Sequence, residues 1–381
     1  MGTIVTYLTY LLERFVFNVD KADFVQYPFF MKPEDLDIHL DEIQQSAVTR
    51  LIQKLEDGRY KKNKNNCLCG NNDNCMDKLV SCIDMHGIPL DVLLCRKCGL
   101  LRAAEIFDVA SNENYYRFEY RDIHNSGGRS ASSYFNDQLE RGESFLKIAR
   151  ENRIIDEVAT VLEIGCGSGG ILYPFHLAGK KVAGFDYDEN YVGYGRGKGM
   201  ALHCMGKDPS VKAEPYDLLI LSHVMEHFLD PRSELLQLIE QVKPGKYVII
   251  EVPGVFAEVP AKVLYGYPVR YFQVAHVVQF FYRDFLNLFY ASLGLEILYG
   301  DENATFLLRK PHDWTPPAVV ADYSSKLSGY RSLVDRHLRE CYSDYRYRPD
   351  LYKLKNMGIW VLELIGLKRV VKGFLKKRGL L

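Results

Sequence analysis

A chain that carries Val161-Leu-Glu-Ile-Gly-Cys-Gly-Ser-Gly-Gly170 has few ways to fold around it. A short apolar run feeds a glycine-rich turn, and a second apolar run, residues 171–177, resumes at once with helical spacing. The pattern reads as strand, tight turn, helix. Glycines suit such a turn because it needs unusual backbone angles and lets a ligand approach bare backbone. The next apolar segment, Lys181–Asp186, ends in an acid about 20 residues beyond the first glycine, where a carboxylate can grip a ribose diol.

Two cofactor classes fit that geometry. Gly165-x-Gly167-x-x-Gly170 satisfies the dinucleotide fingerprint, a pattern that is weak alone. Taken as Glu163-x-Gly165-x-Gly167-x-Gly169, the same residues resemble motif I of class I S-adenosylmethionine methyltransferases. The downstream segments separate the two. Tyr216-Asp-Leu-Leu-Ile-Leu-Ser-His223-Val-Met-Glu226-His227 resembles the strand and helix start of that family, and Lys243-Pro-Gly245 before Tyr247-Val-Ile-Ile-Glu-Val-Pro253 resembles its next element. The resemblance spans residues 155–310, with its motifs in the family's order. It implies S-adenosylmethionine as cofactor, held by Glu163, Gly165, Gly167, Gly169 and Asp186.

The segment alternates strand and helix, which calls for an α/β fold with a mostly parallel sheet covered on both faces. Strands are expected at 160–164, 181–186, 201–205, 217–222, 247–252, 295–299 and 304–308. The last two match the family's terminal antiparallel pair, giving a Rossmann-like seven-stranded sheet. The resemblance further places Asp208 against the adenine amino group. Asn114-Tyr-Tyr-Arg-Phe-Glu-Tyr-Arg121 resembles an aromatic element that lies over the cofactor, which makes Tyr116 a cofactor contact, with core packing as the alternative. Ser126-Gly-Gly is a candidate lid hinge, and residues 135–149 form a periodic helix.

His223-x-x-Glu226-His227, taken alone, is an inverted zinc-peptidase signature. Here it comes after a buried strand and precedes Asp230-Pro231, as the methyltransferase motif does, so Glu226 and His227 are expected to hold the loop and His223 to face the sulfonium. The aromatic insertion at 253–282 lies where acceptors bind in such folds. Within it, Ala275-His276-Val-Val-Gln-Phe-Phe resembles the family's acceptor element, making His276 the expected base. Sugar C-methyltransferases of this architecture carry Tyr-His-Glu-His there. This chain has Gln273-Val-Ala-His276, which favours transfer to oxygen.

Cys67-x-Cys69-Gly70 and Cys95-x-x-Cys98-Gly99 flank strand-like segments at 78–85 and 90–94. Four thiolates from two knuckles around a hairpin suit a closed, tetrahedral, structural zinc site. The module resembles the zinc ribbon that precedes the catalytic domain in many sugar and glycan methyltransferases. The usual first knuckle is Cys-x-x-Cys; here Asn66 stands in the expected first position, so Cys75 and Cys82 are alternative ligands.

The 381 residues divide on this reading into a helical region at 1–64, the ribbon at 65–110, the methyltransferase domain at 111–310 and a helical basic tail at 311–381. A helix should begin at Pro33-Glu-Asp-Leu and run through Leu36, Leu40 and Leu55. A net charge of −1 argues against a protein that coats nucleic acid, and nine scattered cysteines suit metal binding in a reducing compartment. No uncharged apolar run is long enough for a transmembrane helix. Gly2 fits a short myristoylation pattern, and the apolar run at 4–16 lacks a basic lead and a cleavage site, so it reads as an amphipathic helix. The basic tail from Leu351 suits docking on a partner or an anionic membrane surface, or packing on its own protein. The expectation is a cytoplasmic enzyme, peripheral at the inner face of a membrane if the tail docks there. It would O-methylate a sugar or glycan during polysaccharide biosynthesis. An RNA or protein methyltransferase, and a catalytically silent scaffold, are the alternatives.

Overall fold

The computed structural model describes residues 25–31, 40–124, 130–205, 215–257, 271–318 and 324–347. Gly2, the run at 4–16, the Ser126-Gly-Gly turn, Asp208 and the tail from Leu351 lie outside them.

Fourteen strands are described. The first six are β1 (Val25–Met31), β2 (Lys62–Lys64), β3 (Lys78–Ile83), β4 (Pro89–Leu94), β5 (Leu101–Ala103) and β6 (Glu105–Phe107). Then come β7 (Thr160–Ile164), β8 (Lys181–Asp186), β9 (Ala201–Cys204), β10 (Tyr216–Ser222), β11 (Val242–Glu251), β12 (Val278–Phe280), β13 (Glu296–Gly300) and β14 (Thr305–Arg309).

A seven-stranded sheet runs β13-β14-β11-β10-β7-β8-β9. Strands β7 to β11 are parallel, and β14 enters antiparallel between β11 and β13. That inserted strand distinguishes the sheet from the dinucleotide-binding order, in which the strand beyond the fifth continues parallel. The expected strands appear within a few residues at each end, apart from β11, which starts earlier at Val242. In β10, Leu218 and Ile220 join one core cluster while Leu219 and Leu221 join another, so both faces of the sheet are covered. An unbroken apolar run of this kind is what a central parallel strand requires.

Asp217 anchors the start of that run. Its Oδ2 accepts from the backbone N–H groups of Ala159 and Thr160, both at 2.9 Å, and Oδ1 accepts from Lys243 Nζ at 3.0 Å. One side chain thereby aligns the entries of β7, β10 and β11.

A second sheet runs β1-β3-β4-β5-β12. Its centre is the expected hairpin between the cysteine knuckles, while its two edges differ from expectation. Residues Val25–Met31 form a strand pairing parallel with β3, where a mostly helical segment is expected. The segment carries Val25 and three aromatic residues, and Pro28 is tolerated because the strand lies at an edge. The other edge, β12, comes from the aromatic insertion and pairs antiparallel with β5. A helix runs Glu42–Glu56, with Asp41 and Gln44 forming a reciprocal capping box, so the expected helix is not continuous through Leu40. Residues 32–39 lie outside the described segments; Leu40 and Asp41 are not helical.

Arg102 is buried in this second sheet. Its Nη2 pairs with Asp77 Oδ2 at 2.7 Å, and its Nη1 donates to Asn65 O at 2.7 Å. Burying the guanidinium is tolerable only because its charge is paired and both terminal nitrogens donate.

Candidate active site

The turn after β7 has Gly165, Gly167 and Gly169 at φ +72°, +52° and +79°. These are left-handed values that penalise a Cβ. A Cβ on Gly167 would also stand 2.4 Å from Tyr134 Cε1. Gly167 N–H donates to Asp186 Oδ2 at 2.9 Å, which couples the turn to the end of β8. The Asp186 carboxylate is not free: its Oδ1 accepts from Asp188 N and from Arg121 Nη2, each at 2.9 Å. Arg121 also reaches Asp188 Oδ2 at 3.0 Å and lies over the Tyr191 ring.

Beneath the turn, Glu163 is buried and its Oε2 has no hydrogen-bond partner among the described residues. Burial, with the Asp186 charge adding to it, pushes its carboxyl well above the usual range. A cation arriving beside Glu163 would restore its charge.

A cavity of about 870 Å³ runs from Glu163, Gly165 and Asp186 past Tyr116 to His223 and His276. Predicted residues far apart in the chain therefore share one space. Gly167 and Gly169, of the same turn, are not among its lining residues. The Tyr116 ring stacks near Tyr187, and its buried hydroxyl lacks a partner among the described residues.

His223 takes φ +55°, a left-handed conformation that a non-glycine residue adopts only when its surroundings fix it. Its Nδ1 lies 3.2 Å from Glu226 Oε1 and its Nε2 lies 3.8 Å from Glu251 Oε2. Glu251 in turn accepts from Ser222 Oγ at 3.0 Å and pairs with Arg141 Nε at 2.7 Å. The sequence motifs do not point to Arg121, Arg141 or Glu251. The one signal they offer is Glu251 itself, an acid closing an apolar strand.

His276 is buried, and its Nδ1 makes no hydrogen bond among the described residues. Its ring meets His227 edge-on at 4.6 Å between centroids. Burial, then the neighbouring His227 and His124, hold its pKa well below the ordinary histidine value. His227 is lowered too, by burial first, with Glu226 opposing. The two segments meet through backbone: Val277 N–H donates to Glu226 O at 2.8 Å.

Away from the cavity, the four predicted cysteines converge. Cys67, Cys69, Cys95 and Cys98 are buried, with Sγ atoms 3.6 Å apart for Cys67 and Cys98 and 3.8 Å for Cys69 and Cys95. A tetrahedron of thiolates at about 2.3 Å from a zinc ion has edges of about 3.8 Å. Gly70 and Gly99 take φ +86° and +78°, so both knuckles turn alike despite the shorter first spacing. Cys75 is exposed and Cys82 lies outside the cluster.

Residues 138–299 match a family model described as a methyltransferase domain. With the strand order and the glycine turn, this defines a class I, S-adenosylmethionine-dependent methyltransferase domain within the chain. The chain is similar, at 29% identity over 105 residues, to a ubiquinone biosynthesis O-methyltransferase of Hydrogenovibrio crunogenus. That match covers 24% of this chain and 42% of the relative, so the chain spans about two fifths of the length of the curated relative it matches. Among solved structures, TehB from Haemophilus influenzae shares 17% identity, with 52% of this chain and 67% of that chain covered and a TM-score of 0.33. An S-adenosylmethionine-dependent methyltransferase from Aquifex aeolicus shares 16%, with 40% and 80% covered and a TM-score of 0.30. The plantazolicin methyltransferase BpumL, solved with SAH, shares 15%, with 53% and 98% covered and a TM-score of 0.37.

Among the described residues, no helix is long and apolar enough to cross a membrane.

Proposed function

We propose that this chain moves a methyl group from S-adenosylmethionine to an oxygen of an acceptor, with a sugar or glycan hydroxyl as the acceptor class. The observation that carries the reading is the continuous cavity joining the glycine turn to the histidines beyond β10. When bound, S-adenosylmethionine supplies an electrophilic methyl group. The chain's own work is to orient both partners and exclude water. Glu163, with its orphaned buried oxygen, fits the cofactor's cationic end, and Asp186 fits its ribose diol. Diol binding would then compete with the Arg121 pair, so Arg121 adjusts as the cofactor enters. Tyr116 lies along the path between the two ends.

Amide and charged side chains line the cavity, Gln237, Gln273 and Arg141 among them, together with Tyr271. Such a wall offers directional hydrogen bonds and a flat face, as a polyhydroxylated acceptor needs. The similarity to a ubiquinone biosynthesis O-methyltransferase supports oxygen as the atom methylated. The four cysteines would hold a structural zinc, their spacing and turns supporting it.

Titration with S-adenosylhomocysteine tests the reading. We expect binding by the wild type and a loss of at least about 10-fold in Asp186→Ala, since even one hydrogen bond to a charged group is worth about 1.5–3 kcal/mol. Absence of binding in folded wild-type protein would overturn the function; undiminished binding in the variant would remove Asp186 from it.

A further inference from the structure

At the acceptor end of the cavity, Glu226, His227 and His276 each present one donor atom, and the three lie within 4.8 Å of one another. Two atoms in the cluster are buried without a hydrogen-bond partner among the described residues, Glu226 Oε2 and His276 Nδ1. A buried carboxylate oxygen and a buried imidazole nitrogen left without partners are costly, and one ion within reach of both side chains would satisfy them. We propose that Glu226, His227 and His276 form a divalent-metal site, separate from the four cysteines, whose cation binds two adjacent oxygens of the acceptor.

The surroundings fit a metal better than a hydrogen-bond network. Metal–ligand bonds of about 2.0–2.2 Å set ligand atoms about 3–4 Å apart, so small side-chain shifts close the site. His227 Nδ1 lies 3.3 Å from Ala275 O, which favours its proton on Nδ1 and leaves the Nε2 lone pair for a cation. His223 Nδ1 lies against Glu226 Oε1 and orients that carboxylate in the same way. The backbone bond from Val277 N–H to Glu226 O fixes the distance between the two contributing segments. A donor set of two imidazoles and one carboxylate suits Mn²⁺, Fe²⁺, Co²⁺ or Zn²⁺ rather than Ca²⁺ or Mg²⁺. Three protein ligands leave coordination positions open.

All three residues line the same cavity as Glu163 and Asp186, so an oxygen on the cation lies in the space the acceptor shares with the cofactor. The proposal rests on the methyltransferase reading for its substrate class: a molecule with two neighbouring oxygens, such as a vicinal diol. A hydroxyl on the cation becomes more acidic and releases its proton to water, with no other bond made or broken. His276 then acts as a ligand and is not required as a base.

Mn²⁺ is the probe, because thiolate sites disfavour it and the cysteine cluster can keep zinc throughout. Paramagnetic resonance of free Mn²⁺, titrated with the full chain, should show about one bound ion per chain. Glu226→Gln and His227→Gln should each weaken that binding by about 10- to 100-fold. S-adenosylhomocysteine affinity, read on the same samples, should stay within about threefold and reports that the variants are folded. No Mn²⁺ bound by wild type that still binds S-adenosylhomocysteine overturns the metal site and leaves the methyltransferase reading intact. Mn²⁺ binding without S-adenosylhomocysteine binding has the opposite meaning. Folded variants that bind Mn²⁺ as wild type does also overturn the proposal.

Discussion

Gly167 shows how much a single position decides. Its φ of +52° and the Tyr134 ring at Cβ distance leave no room for a side chain. Gly167→Ala should therefore carry about 1–2 kcal/mol of backbone strain, before any repacking of Tyr134. We expect a lower melting temperature and weaker S-adenosylhomocysteine binding; a variant melting with wild type would mean that the turn relaxes freely. The glycines and Asp186 are legible in the sequence because spacing alone encodes them. The left-handed angle at His223 is not, since nothing in Ser-His-Val announces it. The orphaned atoms of Glu226 and His276 escape for another reason. Their meeting depends on a loop crossing, and a linear motif sees only the neighbours of each.

Among the elements, β7, β10 and β11 are legible as apolar runs buried on both faces, and Asp217 is the pin that registers them. Burial alone would raise its carboxyl. The Lys243 ammonium and the N–H groups of Ala159 and Thr160 outweigh it, and the net pKa is lowered. A lowered folded value gives stability that is complete above the ordinary aspartate pKa of 3.8 and lost as pH falls through the folded value. Asp217→Asn should thus destabilise by about 1–3 kcal/mol near neutrality. Its deficit should shrink below pH 3.8, as wild type loses the same charge. Melting curves from neutral to acid pH measure this, and a pH-independent deficit would assign the effect to packing instead. The four-cysteine cluster supplies a second test at this scale. Protein never exposed to chelator should contain about one zinc, and Cys95→Ser should remove it. Elemental analysis showing none would leave four reduced cysteines in a packed core.

For the whole molecule, sequence patterns reveal the seven-stranded sheet and the hairpin between the cysteine pairs but not the seam between them. Strand β1 is hidden by Pro28, and β12 is three residues long with no alternation to mark it. Both are strands because a distant partner offers hydrogen bonds, a cause that lies outside any local window. The seam goes further than pairing. Tyr282 OH donates to Cys98 O at 2.5 Å, and one apolar cluster takes in Cys67, Cys95, Leu219 and Phe285. Arg102 sits in the same region, and Arg102→Met should destabilise by about 3–5 kcal/mol because it strands Asp77 without its buried partner. Chemical denaturation reads that loss, and a small effect would show that Asn71 Nδ2 and the Arg96 N–H, which also donate to Asp77, suffice for the carboxylate.

Strand β12 also constrains anyone who would cut this protein down. Residues 278–280 owe their extended form to a neighbour encoded at 101–103. A truncated chain beginning at residue 111 would keep every cofactor residue yet bare the edge of β12, with Phe280 in it and Phe281 next to it. Unprotected strand edges recruit other chains. Such a fragment should come out of expression as aggregate rather than as a weaker enzyme, and its insolubility would say nothing about catalysis.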